Sequence, residues 1–169
     1  MRIDLYNHNK IAYDNALFLL QTEKKAVVVH PTGTGKSFIV FKLCEDNPDK
    51  TICWLSPSEY IFDTQLENLK RATGGYVPQN ISFFTYAKLM NMSKAEIAEI
   101  EPDYIILDEY HRCGAQMWGQ GVETLLSEYP AHRFWVCPQQ PYVILTIKEI
   151  WQMNFLTGIL PPKCRLAKQ

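Results

Sequence analysis

Apolar positions along this chain alternate between two rhythms. From Asn9 to Gln21 they recur at helical spacing, through Ile11, Ala12, Ala16, Leu19 and Leu20, which predicts an amphipathic helix. "KAVVVH" (Lys25–His30) is then a short continuous apolar run, the signature of a strand buried on both faces. The same exchange repeats down the chain. A helix is predicted over 36–45, a strand over 51–56, a helix over 59–71 and a strand over 81–85. Short helices follow to Ile100, then a strand over 103–109, a helix over 116–129 and a strand over 132–136. Strand and helix alternate throughout, so the fold class is α/β, with a mainly parallel sheet flanked by helices on both faces.

Composition narrows the function without naming it. The 169 residues are 47% hydrophobic and 21% charged, with a net charge of −1. That is enough chain for one cored domain, and it leaves no global basic footprint. Contact with nucleic acid would have to come from a local surface. No apolar run is long enough to span a bilayer and the first residues lack a signal-peptide core, which points to a cytoplasmic protein with no membrane partner. The five cysteines stand singly, without a CxxC pair, and read as reduced, mostly buried thiols.

Chemistry enters at the first strand-to-helix junction. "HPTGTGKS" (His30–Ser37) follows a strand and opens a helix, which is the setting of a phosphate-binding loop. Gly33 and Gly35 let the backbone bend tightly enough to aim N–H groups at phosphate oxygens, flanked by Thr32 and Thr34. The helix N-terminus adds partial positive charge. Lys36 can reach the β- and γ-phosphates, and Ser37 can ligate Mg²⁺. A plain glycine-rich turn is the alternative, and it does not explain Lys-Ser in register with the helix.

"IILDEYH" ends an apolar strand in two carboxylates. Asp108 falls at the C-terminal edge of the sheet, where ligands of α/β folds collect, and can hold Mg²⁺ directly or through water. Glu109 can orient and deprotonate an attacking water. His111 can sense the γ-phosphate or a neighbouring domain, with a structural role at a helix start as the alternative.

Together these residues resemble the superfamily 2 helicases, in the type III restriction subunit-like branch of the DEAD/DEAH group. "PTGTGKS" is similar to motif I and "LDEYH" to motif II. "WLSPSEYIFDTQLENL" (Trp54–Leu69) is similar to motif Ia and "FFTYAKL" (Phe83–Leu89) to motif Ic. The resemblance runs from residue 5 to about 135. It implies a RecA-like P-loop domain that binds ATP and Mg²⁺ and works on nucleic acid, DNA in preference to RNA. Hydrolysis in the family is coupled to movement by a second RecA-like domain that supplies arginine fingers, which this chain does not contain. It further implies Ser58 and Thr85 near a nucleic-acid backbone. Asn9 or Lys10 stands where the family has an adenine-reading glutamine. The expected activity of the fragment alone is weak or absent. A non-catalytic nucleic-acid- or partner-binding remnant is the second reading. A small P-loop kinase is a third, disfavoured by the Asp-Glu-x-His strand end.

After the last predicted strand the pattern fails. "RFWVCPQQPYVILTIKEIWQMNF" (Arg133–Phe155) has no clear period where the resemblance leads to expect "GLSAT". Reading codons from the third base of each old one, Trp135 to Gln140 can spell "GLSAT". Trp151–Gln152 must then give Ala, and Met153–Asn154 must give Glu. The domain is therefore read as residues 1–136, and 137–169 as a frameshifted tail. A genuine divergent tail, its Tyr142–Ile147 run pairing as a strand, is the competing reading. If the frameshift is right, sequencing the gene over residues 130–169 returns codons that encode "GLSAT" in the shifted frame. Codons that cannot do so exclude it.

Overall fold

A computed structural model describes residues 3–31, 33–109, 116–129 and 133–137. In chain order the elements are α1 (Asn7–Thr22), β1 (Lys25–Val27), α2 (Lys36–Asp46), β2 (Ile52–Ser56), α3 (Glu59–Thr73) and β3 (Ile81–Thr85). They continue as α4 (Tyr86–Asn91), α5 (Lys94–Ala98), β4 (Tyr104–Asp108), α6 (Gln116–Glu128) and β5 (Arg133–Cys137). The five strands form one sheet in the order β1-β5-β4-β2-β3, and every pairing is parallel. The α/β fold expected from the sequence is present, and its sheet is parallel throughout.

The period of two along the strands divides the core. Ile52 and Trp54 of β2, with Tyr104 and Ile106 of β4, pack with buried residues of α1, α2 and α3. Cys53 and Leu55, with Ile105 and Leu107, pack with buried residues of α4, α5 and α6. Both faces are covered, so β2 and β4 are buried at every position. Apolar runs without alternation are what such strands require. Each fully buried Leu or Ile contributes about 1.5–3 kcal/mol relative to exposure.

Trp54 ties the α1–α3 face together. It is 1% exposed, with ring centroids 5.3 Å from Phe41 of α2, 6.2 Å from Phe62 of α3 and 5.8 Å from Phe83 of β3. This aromatic cluster packs α2 and α3, the helices that follow β1 and β2, against the sheet. Trp54 is thus a packing residue, as its place in an apolar strand suggested. Cys44 and Cys53 are buried and free, and burial pushes both thiols up to about 12, which makes them poor nucleophiles.

One detail of the sequence reading changes. The buried stripe of α1 is Asn9, Tyr13, Ala16 and Leu20, whereas Ile11 and Leu19 are exposed. The helix places a polar side chain in its inward stripe because the phosphate loop needs a partner there. β5 lies between β1 and β4 and pairs with both. Thr32, His111 and the tail from residue 138 lie outside the described residues.

On the other face α6 crosses α4 closely. A Cβ added at Gly121 would stand 3.1 Å from both the backbone nitrogen and the Cα of Met90. Backbone atoms cannot yield as a flexible side chain can. Gly121→Ala is therefore expected to destabilise the fold by about 1–3 kcal/mol through overpacking. Urea unfolding checks this, and an unchanged midpoint would show that the crossing is loose.

Candidate nucleotide site

The phosphate loop leaves β1 and is shaped by two glycines, Gly33 and Gly35, both at φ 81°. Side-chain-bearing residues adopt this left-handed backbone only at a cost of roughly 1–2 kcal/mol. Gly35 is also the N-cap of α2 and makes no side-chain cap bond, so the first N–H groups of that helix face the loop. Space is a second constraint at Gly35, because a Cβ there would meet Asn9 Nδ2 at 3.1 Å.

Asn9 lies beneath the loop and is 1% exposed. Its Nδ2 donates to the carbonyls of Thr34 at 2.8 Å and Gly35 at 3.3 Å, and its Oδ1 lies 3.0 Å from His30 Nδ1. Every polar atom of the side chain is engaged in holding the loop. The resemblance offers Asn9 as an adenine reader, and in the structure it supports the glycine loop from below. His8 adds a contact from its Nε2 to the Thr34 carbonyl at 3.2 Å. Burial, together with the charges of His8 and Lys36, lowers the His30 pKa and favours a neutral ring.

Lys36 opens α2 and reaches back over the loop, its Nζ donating to the carbonyls of His30 at 2.7 Å and Pro31 at 3.2 Å. Its charge also bears on Asp108, so the loop and the acidic strand end share one electrostatic neighbourhood. Asp108 ends β4 and is 6% exposed. Burial and the neighbouring Glu109 charge push its carboxyl up to about 6, against a hydrogen bond from the Gln65 side chain, the Lys36 charge and the Glu109 N–H. From the opposite face, the buried Tyr86 hydroxyl donates to the Asp108 carbonyl at 2.7 Å. Glu109 is 8% exposed and sits at φ 52°. For a residue with a side chain this is strained backbone, of the kind that collects at functional turns.

Ser58 and Thr85 stand at the same edge of the sheet, just past β2 and at the end of β3, and each is the N-cap of the helix that follows. They differ in commitment. Thr85 Oγ1 accepts from the Lys88 N–H at 3.0 Å, whereas Ser58 makes no side-chain cap bond. Sequence reasoning missed Gln65 and Tyr86. Nothing in local spacing marks either as a partner of Asp108, since both contacts arise only when α3 and α4 fold over the strand ends.

The donor set fits a divalent cation. Ser37 lies in the first turn of α2, and Asp108 is a buried carboxyl raised by its own desolvation, a penalty that a nearby positive charge relieves. A hard cation held by few protein oxygens and mainly by phosphates and water is the behaviour of Mg²⁺.

A parallel sheet covered on both faces, with a glycine loop on one strand end and a buried acid on another, defines a nucleotide-binding α/β domain of the helicase type. Residues 2–135 match the family described as type III restriction enzyme, res subunit, and the chain belongs to that family. No curated protein matches it. Among solved structures it is similar to the Sulfolobus solfataricus SWI2/SNF2 ATPase core in complex with double-stranded DNA, with a TM-score of 0.64 at 14% identity. That similarity covers 82% of this chain and 32% of the other, so the chain spans about a third of the solved protein. It establishes a shared fold.

The raised Asp108 pKa carries a sign. Its folded value, about 6, lies above the ordinary 3.8 of an aspartate in water, so the fold prefers the protonated acid. The penalty for the charged form is absent below pH 3.8 and complete above about 6. In EDTA, stability is expected to fall as pH rises through that window, by up to about 3 kcal/mol from a two-unit shift. Asp108→Asn removes this slope and is more stable than the native chain at pH 7. Chemical unfolding at pH 4, 5, 6 and 7 checks it, and parallel pH profiles for the two proteins would refute it.

Proposed function

We propose that the chain is the first ATP-binding domain of a DNA helicase or translocase. The carrying observation is the loop of Gly33 and Gly35 at the N-terminus of α2, with Lys36 bearing on a buried Asp108 across the sheet edge. In this reading Gly33, Gly35 and Lys36 grip the phosphates, with Thr34 and the undescribed Thr32 flanking them. The two carbonyl bonds of Lys36 are exchanged for phosphate oxygens. Ser37 and Asp108 hold Mg²⁺, which when bound neutralises charge on the β- and γ-phosphates. Asn9 keeps the loop in shape. Glu109 orients and deprotonates the attacking water, and its strained backbone helps to fix the carboxyl. His111 is assigned to the γ-phosphate side from its sequence position.

Ser58 and Thr85 are assigned to the backbone of a nucleic acid. Ser58 supports this best, because its hydroxyl makes no cap bond at the N-terminus of a 15-residue helix, where phosphates are favoured. DNA is preferred to RNA, and double-stranded DNA is the ligand of the structurally similar ATPase core. Among the described residues no helix is long and apolar enough to cross a membrane, and a cytoplasmic location is proposed. The family match ends at residue 135, which fits a domain of residues 1–136, and the reading of 137–169 as a frameshifted tail rests on the codon argument.

Tested by themselves, these 169 residues are expected to bind Mg·ATP weakly and to hydrolyse it slowly. The arginine finger of a second domain contributes about 10³–10⁵ in rate where such groups have been measured. A fluorescent ATP analogue should bind in Mg²⁺, lose at least about tenfold in affinity on Lys36→Ala, and bind Glu109→Gln undiminished. Salt-dependent binding to DNA with no nucleotide binding would favour the non-catalytic remnant instead.

A further inference from the structure

Two buried polar atoms at the acidic strand end lack a partner. Gln65 Oε1 and Ser56 Oγ are both inaccessible and make no hydrogen bond. Leaving such an atom unsatisfied is costly, so an orphan beside a functional carboxylate calls for a reason.

Their placement supplies one. Ser56 ends β2, and β2 pairs in parallel with β4 up to Leu55 opposite Leu107. The next step along both strands sets Ser56 beside Asp108. On the same period of two, Ser56 follows Ile52 and Trp54, and Asp108 follows Tyr104 and Ile106, all facing α1–α3. Gln65 comes from α3 on that face and hydrogen-bonds the Asp108 side chain. A carboxylate only accepts, so the donor is the Gln65 amide nitrogen, which leaves the orphaned oxygen directed elsewhere. Three oxygen-bearing side chains thus lie on one face at neighbouring strand ends, one an acid and two with acceptor capacity unused.

We propose that Gln65, with Ser56, forms the outer ring of the divalent-cation site. The Gln65 amide nitrogen fixes the Asp108 carboxylate, and the two orphaned oxygens accept hydrogen bonds from water carried by the cation. The proposal rests on the assignment of Asp108 to the cation and adds the residues that orient it. Mg²⁺ gives up its water reluctantly and is held by few protein oxygens. Acceptors for that water are therefore as much a part of the site as the carboxylate itself. Such outer partners change metal affinity by about 10–100-fold when removed.

The test is how far Mg²⁺ tightens binding of a fluorescent ATP analogue, measured as the ratio of its Kd in EDTA to its Kd in saturating Mg²⁺. Gln65→Met keeps the length and removes donor and acceptor. It is expected to leave the EDTA value unchanged and to shrink the ratio by about tenfold. Ser56→Ala removes a hydroxyl that bonds nothing. It is expected to fold at least as stably as the native chain and still to shrink the ratio, a result that a purely structural role for Ser56 does not produce. A full ratio in Gln65→Met overturns the proposal. If that variant does not fold, a full ratio in Ser56→Ala overturns it. Asp108→Asn separates the two levels. A ratio that survives Asp108→Asn sinks the assignment of Asp108 itself, whereas one lost there but intact in Gln65→Met sinks only the role of Gln65.

Discussion

Strand direction is the constraint from which the rest follows. All five strands run parallel, so every strand ends at the same edge, and each crossover helix must start there and return to the opposite edge. The phosphate loop after β1, Ser58 after β2, Thr85 at the end of β3 and Asp108 at the end of β4 come from distant parts of the chain. They line one edge because all the strands end there. The helices that follow β1, β2 and β3 turn their N-termini to that edge, so the backbone contributes positive potential before any side chain does.

The same edge is where the structure departs from what stability alone would favour. Asp108 is buried with Glu109 beside it, and its carboxyl is raised by that burial. Glu109 has left-handed backbone, and the two loop glycines do as well. Asn9 occupies an inward position that elsewhere in α1 is taken by Tyr13, Ala16 and Leu20. The aromatic cluster around Trp54 and the continuous apolar strands offset these costs a short distance away. The rigid part of the molecule thus holds the strained part in place.

Much of this was legible from residue order. The strands over 81–85 and 104–108 are apolar runs bounded by polar turns, and period alone places them. "PTGTGKS" and "LDEYH" mark the phosphate loop and the acid because their chemistry depends on local spacing. The family match over residues 2–135 agrees with the resemblance drawn from those motifs. What could not be read was every contact made across the sheet. Asn9 under Gly35, Tyr86 on the Asp108 carbonyl and Gln65 on its carboxylate depend on which helix covers which strand end. The exposed faces of α1 misled for the same reason. Ile11 and Leu19 fit a helical period, but the orientation of α1 is set by its packing on β1 and by the loop above Asn9.

The place of β5 affects how such a chain reaches its final shape. β1 has a single neighbour in the sheet, and that neighbour is the last strand of the described chain. During synthesis β2, β3 and β4 can associate early, whereas β1 and the loop that follows it must wait until nearly the whole domain has emerged. Closing so long a segment is slow, because its entropy is lost before the contact rewards it. The loop of Gly33 and Gly35 is therefore expected to be among the last features to take shape, on a scaffold older than its working surface.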